Sequence, residues 1–156
     1  LPTRLQKSRH LNPQPPTLDP RPKRRLDREM KEKVVSANEL QFIGEDDENL
    51  YLSGEDTPFT GKVEDFYDNG QKVEEGNYKD GKLDGLYTSW YENGQKREES
   101  NWRDDKLTSA FVWKPNGEKC PVTNIDKHGT GIRIWYEDDG TEEGRWTFKD
   151  GEIVED

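Results

Sequence analysis

The sequence predicts an all-β protein, an antiparallel meander of repeated β-hairpins behind an N-terminal arm, and three observations carry that prediction. The stretch FYDNGQKVEEGNYKDGKLDG at 66–85 returns almost unchanged as WYENGQKREESNWRDD at 90–105, twenty-four residues on, and a fixed period of that length marks a repeat architecture. Asn-Gly or Asp-Gly, the strongest short hairpin signal, recurs at 69–70, 93–94, 116–117 and 139–140. The 156 residues are 28% hydrophobic and 37% charged, too polar for one deep core, yet they include five Trp, six Tyr and five Phe, too many for a simply disordered chain. Stacked units sharing a thin apolar seam satisfy both facts.

The first element is an arm. Residues 1–37 carry ten Lys/Arg against four Asp/Glu, and six of the nine prolines. Residues 38–156 carry fourteen Lys/Arg against thirty Asp/Glu, a net charge of −16, and every aromatic residue. We place the boundary near residue 37. The arm reads as disordered, although DREMKEKVVSANEL at 27–40 is compatible with a short helix. Met30, the only methionine, is an alternative start that would make residues 1–29 an upstream extension. Residues 38–56 read as a cap at the start of the repeats. It has two short strands, turns at 44–48 and 54–56, and apolar contacts from Phe42, Leu50, Tyr51, Leu52 and Phe59.

Residues 57–156 form the repeats. The first turns stand 24, 23 and 23 residues apart, and Asn-Gly tolerates positive φ at both central positions. A second turn follows each first one: Asp80-Gly81, Asp104-Asp105, a looser DKHG at 126–129, and Asp150-Gly151. Two turns per repeat mean two strands per repeat, each about six residues long. The columns agree: Tyr78, Trp102, Ile125 and Phe148 share one place, and Phe66, Trp90, Trp113 and Tyr136 share another. Cross-strand aromatic and β-branched pairs of this kind hold a sheet that lacks a bulky core. Gly61 and Gly85 align before the first strands. In the last repeat either Trp135 or Tyr136 can take the place of Trp90. The third unit is irregular, because Pro115 and Pro121 remove ladder donors and shorten its strands.

The strings Trp90-Tyr91-Glu92-Asn93-Gly94-Gln95-Lys96 and GNYKDGKLDG at 76–85 resemble the variant MORN repeat, over roughly residues 57–156. The match is specific in the first two units and degraded in the last two, where Lys114-Pro115 replaces the aromatic–acid pair and Asp139-Gly140-Thr141-Glu142 replaces Asn-Gly-Gln-Lys. The resemblance implies an elongated MORN-like sheet of successive hairpins. It also implies protein–protein contacts, membrane attachment or, for bacterial YwqK-type antitoxins, a place in a toxin–antitoxin system.

The charge narrows the partners. An acidic body repels nucleic acid and anionic membranes, so a protein partner, and a basic one, is expected. The basic run RPKRRLDREMKEK at 21–33 has no interleaved aromatic for base stacking. The longest apolar run, Phe111-Val112-Trp113, is far too short to span a membrane. A single cysteine, Cys120, fits a cytoplasmic location without proving it, and a secreted or envelope location stays open.

No chemistry is written in the residues. Aligned on the glycine of a calcium loop, NIDKHG puts Trp135 at the twelfth position in place of glutamate and WYEDDG puts Trp135 at the first, and no Cys-x-x-Cys or His-x-x-x-His occurs. His10 and His128 have no nucleophile identifiable by spacing. The pairs Glu74-Glu75 and Glu98-Glu99 recur with the hairpin and read as a solvated face, their adjacent members pointing to opposite sides of the sheet. KDGK lacks the spacing of a phosphate loop. No enzyme and no cofactor is implied.

The expected function is therefore a binding module. Tyr67, Tyr87 and Tyr91 would line an exposed groove, and Glu64, Glu74, Glu98 and Glu99 would supply charge complementarity. Ladder packing is the competing reading of the same tyrosines. A structural or envelope-associated repeat protein without a dedicated partner is the alternative function. An open edge at Glu152 to Val154 would allow self-association.

Overall fold

Two kinds of turn set the strands, and they alternate from Tyr67 to Asp105. The computed structural model describes residues 33–43 and 49–154. At Tyr67–Gly70 and Tyr91–Gly94 the fourth residue donates its N–H to the carbonyl of the first at 2.9 Å. Only the glycine has positive φ (82° at Gly70, 83° at Gly94). Asn69 and Asn93 keep negative φ, and each accepts the N–H of the residue two ahead at 2.9 Å. The expectation of positive φ at both central positions thus fails at these turns, because the asparagine side chain closes the loop instead. It holds at the other kind: Asp80-Gly81, Asp104-Asp105 and Asp150-Gly151 have positive φ at both residues, the primed geometry whose twist matches the flanking strands. The DKHG turn belongs to the first kind, with Gly129 N–H bonded to Asp126 at 2.9 Å.

Between these turns run the strands β1 (Val34–Ser36), β2 (Leu40–Ile43), β3 (Asn49–Leu52), β4 (Gly61–Phe66), β5 (Lys72–Lys79), β6 (Lys82–Trp90), β7 (Lys96–Arg103), β8 (Lys106–Val112), β9 (Asn124–Ile125), β10 (Gly131–Tyr136), β11 (Glu142–Lys149) and β12 (Glu152–Val154). They form a six-stranded sheet in the order β1-β4-β5-β6-β7-β8, a four-stranded sheet β12-β11-β10-β9, and the pair β2-β3. The fold is all-β, and from β4 to β8 it is an uninterrupted antiparallel meander. The meander breaks in the third unit, where the two prolines leave one isolated bridge, Trp113 to Lys119, and a two-residue β9.

Residues 33–40 are not helical beyond one 3₁₀ turn at Ala37–Glu39. The β-branched pair Val34-Val35 extends instead as β1, parallel to β4, and Val35 buries against Leu50, Phe59 and Val63. The sheet therefore begins inside the segment that composition assigned to the arm. The rest of the arm, its short helix before residue 33 and the turn at 44–48 lie outside the described residues. The two cap strands are present, and Leu50 and Phe59 are buried.

A β-bulge recurs where each first strand meets its partner. Asp65 pairs with Glu74 but Phe66 with Lys72; Ser89 pairs with Glu98 but Trp90 with Lys96; Trp135 pairs with Gly144 but Tyr136 with Glu142. The extra residues are Val73, Arg97 and Glu143. This register places Tyr136, not Trp135, in the position of Trp90. An extra residue turns two neighbours toward one face, which is why Arg97 and Glu98 are both buried.

The aromatic column packs as expected. Gly61, Gly85 and Gly131 lie opposite Tyr78, Trp102 and Phe148. At Gly131, with φ of 150°, a Cβ would come within 1.7 Å of the Asn124 carbonyl oxygen. Trp102 and Phe148 share a core cluster with Leu83, Leu107 and Ala110, against which Tyr78 and Ile125 pack. A second cluster joins Tyr91 and Val112 to Cys120, Ile134 and Tyr136. Both clusters draw on both larger sheets, so the second sheet is fixed to β6–β8 through side chains.

Candidate functional site

The six-stranded sheet has two faces of opposite character. On the inner face one row runs Asp65, Glu74, Ser89, Glu98, Val112 across successive strands. Glu74 is 7% exposed and Glu98 wholly buried. Glu98 accepts from the Trp135 indole N–H at 2.8 Å and from Arg133 at 3.3 Å. Glu74 accepts from the Tyr87 hydroxyl at 2.7 Å. Burial pushes its carboxyl up to about 7, the Tyr87 hydrogen bond opposes, and the carboxylates of Asp65 and Glu98 push the same way as burial. Beside the row Arg97 pairs with Glu143 at 2.7 Å and donates to the Tyr136 carbonyl at 2.8 Å, so two bulge residues of different repeats meet.

The tyrosines expected to line an exposed groove are placed otherwise. Tyr67 and Tyr91 are buried. Their hydroxyls donate to the carbonyls of Trp90 and Trp113, at 2.7 and 2.6 Å, twenty-three and twenty-two residues on. Asn69 and Asn93 repeat the motif, donating to the Glu92 and Pro115 carbonyls at 3.2 and 3.0 Å. Tyr and Asn together tie each turn to the next one, and this coupling buries the rings. Tyr87 is half-buried on the inner face. Glu74 and Glu98 are interior, so the repeated glutamate pairs are not solvated on both sides. Of the seven expected contact residues only Glu64 and Glu99 lie on the outer face, where Lys72 and Lys96 hold them at 3.1 and 2.6 Å.

That outer face carries a feature the residue columns only half revealed. Phe66, Lys72, Trp90, Lys96, Trp113 and Lys119 lie side by side on β4, β5, β6, β7 and the β8 extension. Aromatic rings alternate with lysines. The Lys72 ammonium sits 5.7 Å from the Trp90 ring centre and Lys96 sits 5.4 Å from that of Trp113, within cation–π range. Phe111 extends the row, its ring 6.4 Å from Trp113 with Lys119 3.9 Å above it. Phe66 is 50% and Phe111 43% exposed, and Trp90 and Trp113 are partly exposed. The signal was present in the sequence: the bulge throws Lys72 and Lys96 onto the aromatic face, and only the bulge was unmarked.

His128 sits in an exposed turn, and among the described residues no three His, Cys, Asp or Glu side chains are grouped to hold a metal. Cys120 is buried and free. Burial pushes its thiol up, but hydrogen bonds from Tyr136 and Thr123 outweigh this and hold it below the usual range.

Residues 59–80 and 83–104 match the MORN repeat variant family, and these two segments are the hairpins β4–β5 and β6–β7. Over these two units the chain is similar to MORN repeats. No curated protein and no solved structure matches it.

Proposed function

We propose that the protein is a protein-binding repeat module that uses the outer face of its six-stranded sheet. MORN repeats are generally non-enzymatic repeat modules, and the observation that carries this reading is the evenly spaced row Phe66, Trp90, Trp113. Large rings held half-exposed by rigid strands give contact area at low entropic cost. A thin-cored sheet has no packing reason to leave Phe66 half exposed. The charge of −16 over residues 38–156 favours a basic partner. An antitoxin-like protein that neutralises a basic toxin is the finer form of the reading.

The test is retention of partners from source lysate on the immobilised full chain, against a Phe66→Ser/Trp90→Ser bait of unchanged melting temperature. These outer-face residues replace Tyr67 and Tyr91 as the control positions, since the tyrosines hold the turns together. We expect a stoichiometric basic protein on the first bait and its loss from the second. A folded, abundant bait that retains nothing would favour the alternative, a structural repeat without a dedicated partner.

A further inference from the structure

We infer that in the free protein the aromatic–lysine row is a docking site for the chain's own proline-rich segment, PQPPTLDPRPKRR at 13–25. The inference rests on the outer face being a contact surface, and it assigns that surface an occupant that a protein partner must displace.

Spacing is the first argument. Phe66, Trp90 and Trp113 stand on alternate strands. Strands lie about 4.8 Å apart, so these rings repeat at about 9.6 Å. A polyproline II helix rises about 3.1 Å per residue with three residues per turn, so its same-face residues repeat at about 9.3 Å. A proline-rich segment crossing the strands at right angles would set one residue per turn on each ring. Aromatic-lined surfaces read such segments at little ordering cost. Pro13 and Pro16 stand one turn apart, and Pro22 falls on the same face two turns later.

Charge is the second. Residues 1–37 carry ten basic against four acidic side chains, and the remainder carries a net charge of −16. Two of the three ladder lysines do not repel the segment as free charges, because Glu64 and Glu75 hold Lys72 and Glu99 holds Lys96. Asp68 and Glu92 are exposed in the turns beside the row, where a docked basic run 21–25 would meet them.

Reach is the third. The described chain begins at Lys33, and β1 lies beside β4 with Val34 opposite Lys62. Phe66 is four residues further along β4, about 14 Å. Residues 26–32 can span up to about 23 Å, enough to bring residue 25 to the row.

The test uses indole N–H resonances of the full chain, assigned by single Trp→Phe variants. Docking predicts that Pro13→Ala/Pro15→Ala/Pro16→Ala moves the Trp90 and Trp113 resonances. Trp102 and Trp135, bonded inside to Ser100 and Glu98, should stay in place. A synthetic peptide of residues 12–25 added to that variant should restore the two positions. Superimposable spectra would overturn the docking. If the peptide nevertheless shifts Trp90 and Trp113, the surface survives as a reader of proline-rich segments and only its own arm is excluded. If neither acts, this inference fails, and the outer-face reading is decided separately by partner retention on the Phe66→Ser/Trp90→Ser bait. Shifts that grow with protein concentration would place the segment on a second copy, and shifts caused by a β-1,4-linked glucose oligomer but not by the peptide would assign the row to glycans; either overturns the inference.

Discussion

Glu74 holds its proton at a pH where a free glutamate has lost it, and the reason lies in its surroundings: burial, with Asp65 and Glu98 in the same row. A carboxyl whose folded value of about 7 exceeds its ordinary 4.5 stabilises the fold relative to its ionised form. That contribution is fully present below the unfolded value and is lost as pH rises through the folded one. Wild-type stability should therefore fall between about pH 4.5 and pH 7.5, with up to about 3 kcal/mol from this group. Glu74→Gln should remove that part of the fall, so urea titrations of both proteins at pH 5 and pH 8 that shift in parallel would reject the assignment. Asp105, pushed up to about 6 by burial, adds a slope common to both. The tyrosine hydroxyls give a second test. Tyr91→Phe keeps the ring and strips the Trp113 carbonyl of a 2.6 Å bond, a loss of about 1–2 kcal/mol that a melting curve should register.

At the scale of the element, the turns and strands were largely legible and the bulges were not. Asn-Gly, Asp-Gly and Asp-Asp fixed every turn of β4–β8, because each carries local chemistry that needs no distant partner. Tyr78, Trp102 and Phe148 were legible as a column because each ring lies opposite a glycine at constant offset, whereas Ile125 lies opposite Gly131. The buried face was not legible. Both faces of the hairpin offer aromatic and charged residues, and a one-residue bulge at Val73 or Arg97 exchanges which of them look inward. Glu98 reads as a surface residue until Arg133 and Trp135, thirty-five and thirty-seven positions away, arrive from the last repeat. The same dependence on backbone geometry makes Gly131 a sharp test. Gly131→Ala must displace the Asn124 carbonyl and hold an unfavourable φ, so we expect a loss of about 3 kcal/mol or more, read as faster amide exchange in β9–β12 before β4–β6.

Buried charged contacts join the two larger sheets beside the hydrophobic clusters they share. Glu98 and Arg133 link the first sheet to the second with almost no exposed surface. Removing one partner strands the other: Arg133→Met should cost about 3–5 kcal/mol, whereas Arg133→Met/Glu98→Leu should recover most of it. If the double variant is no more stable than the single one, packing at Arg133, not the ion pair, is what joins the sheets. Along the meander the connections are of another sort. Tyr67 and Asn69 reach the turn that holds Tyr91 and Asn93, and those reach the turn after it. Ties of this kind give cohesion between nearest neighbours. Pulled by its two ends in an optical trap, it should yield hairpin by hairpin, like stitches drawn from a hem. Each release would free about twenty-four residues and lengthen the tether by roughly 80 Å, until the force meets the ionic joint between the sheets.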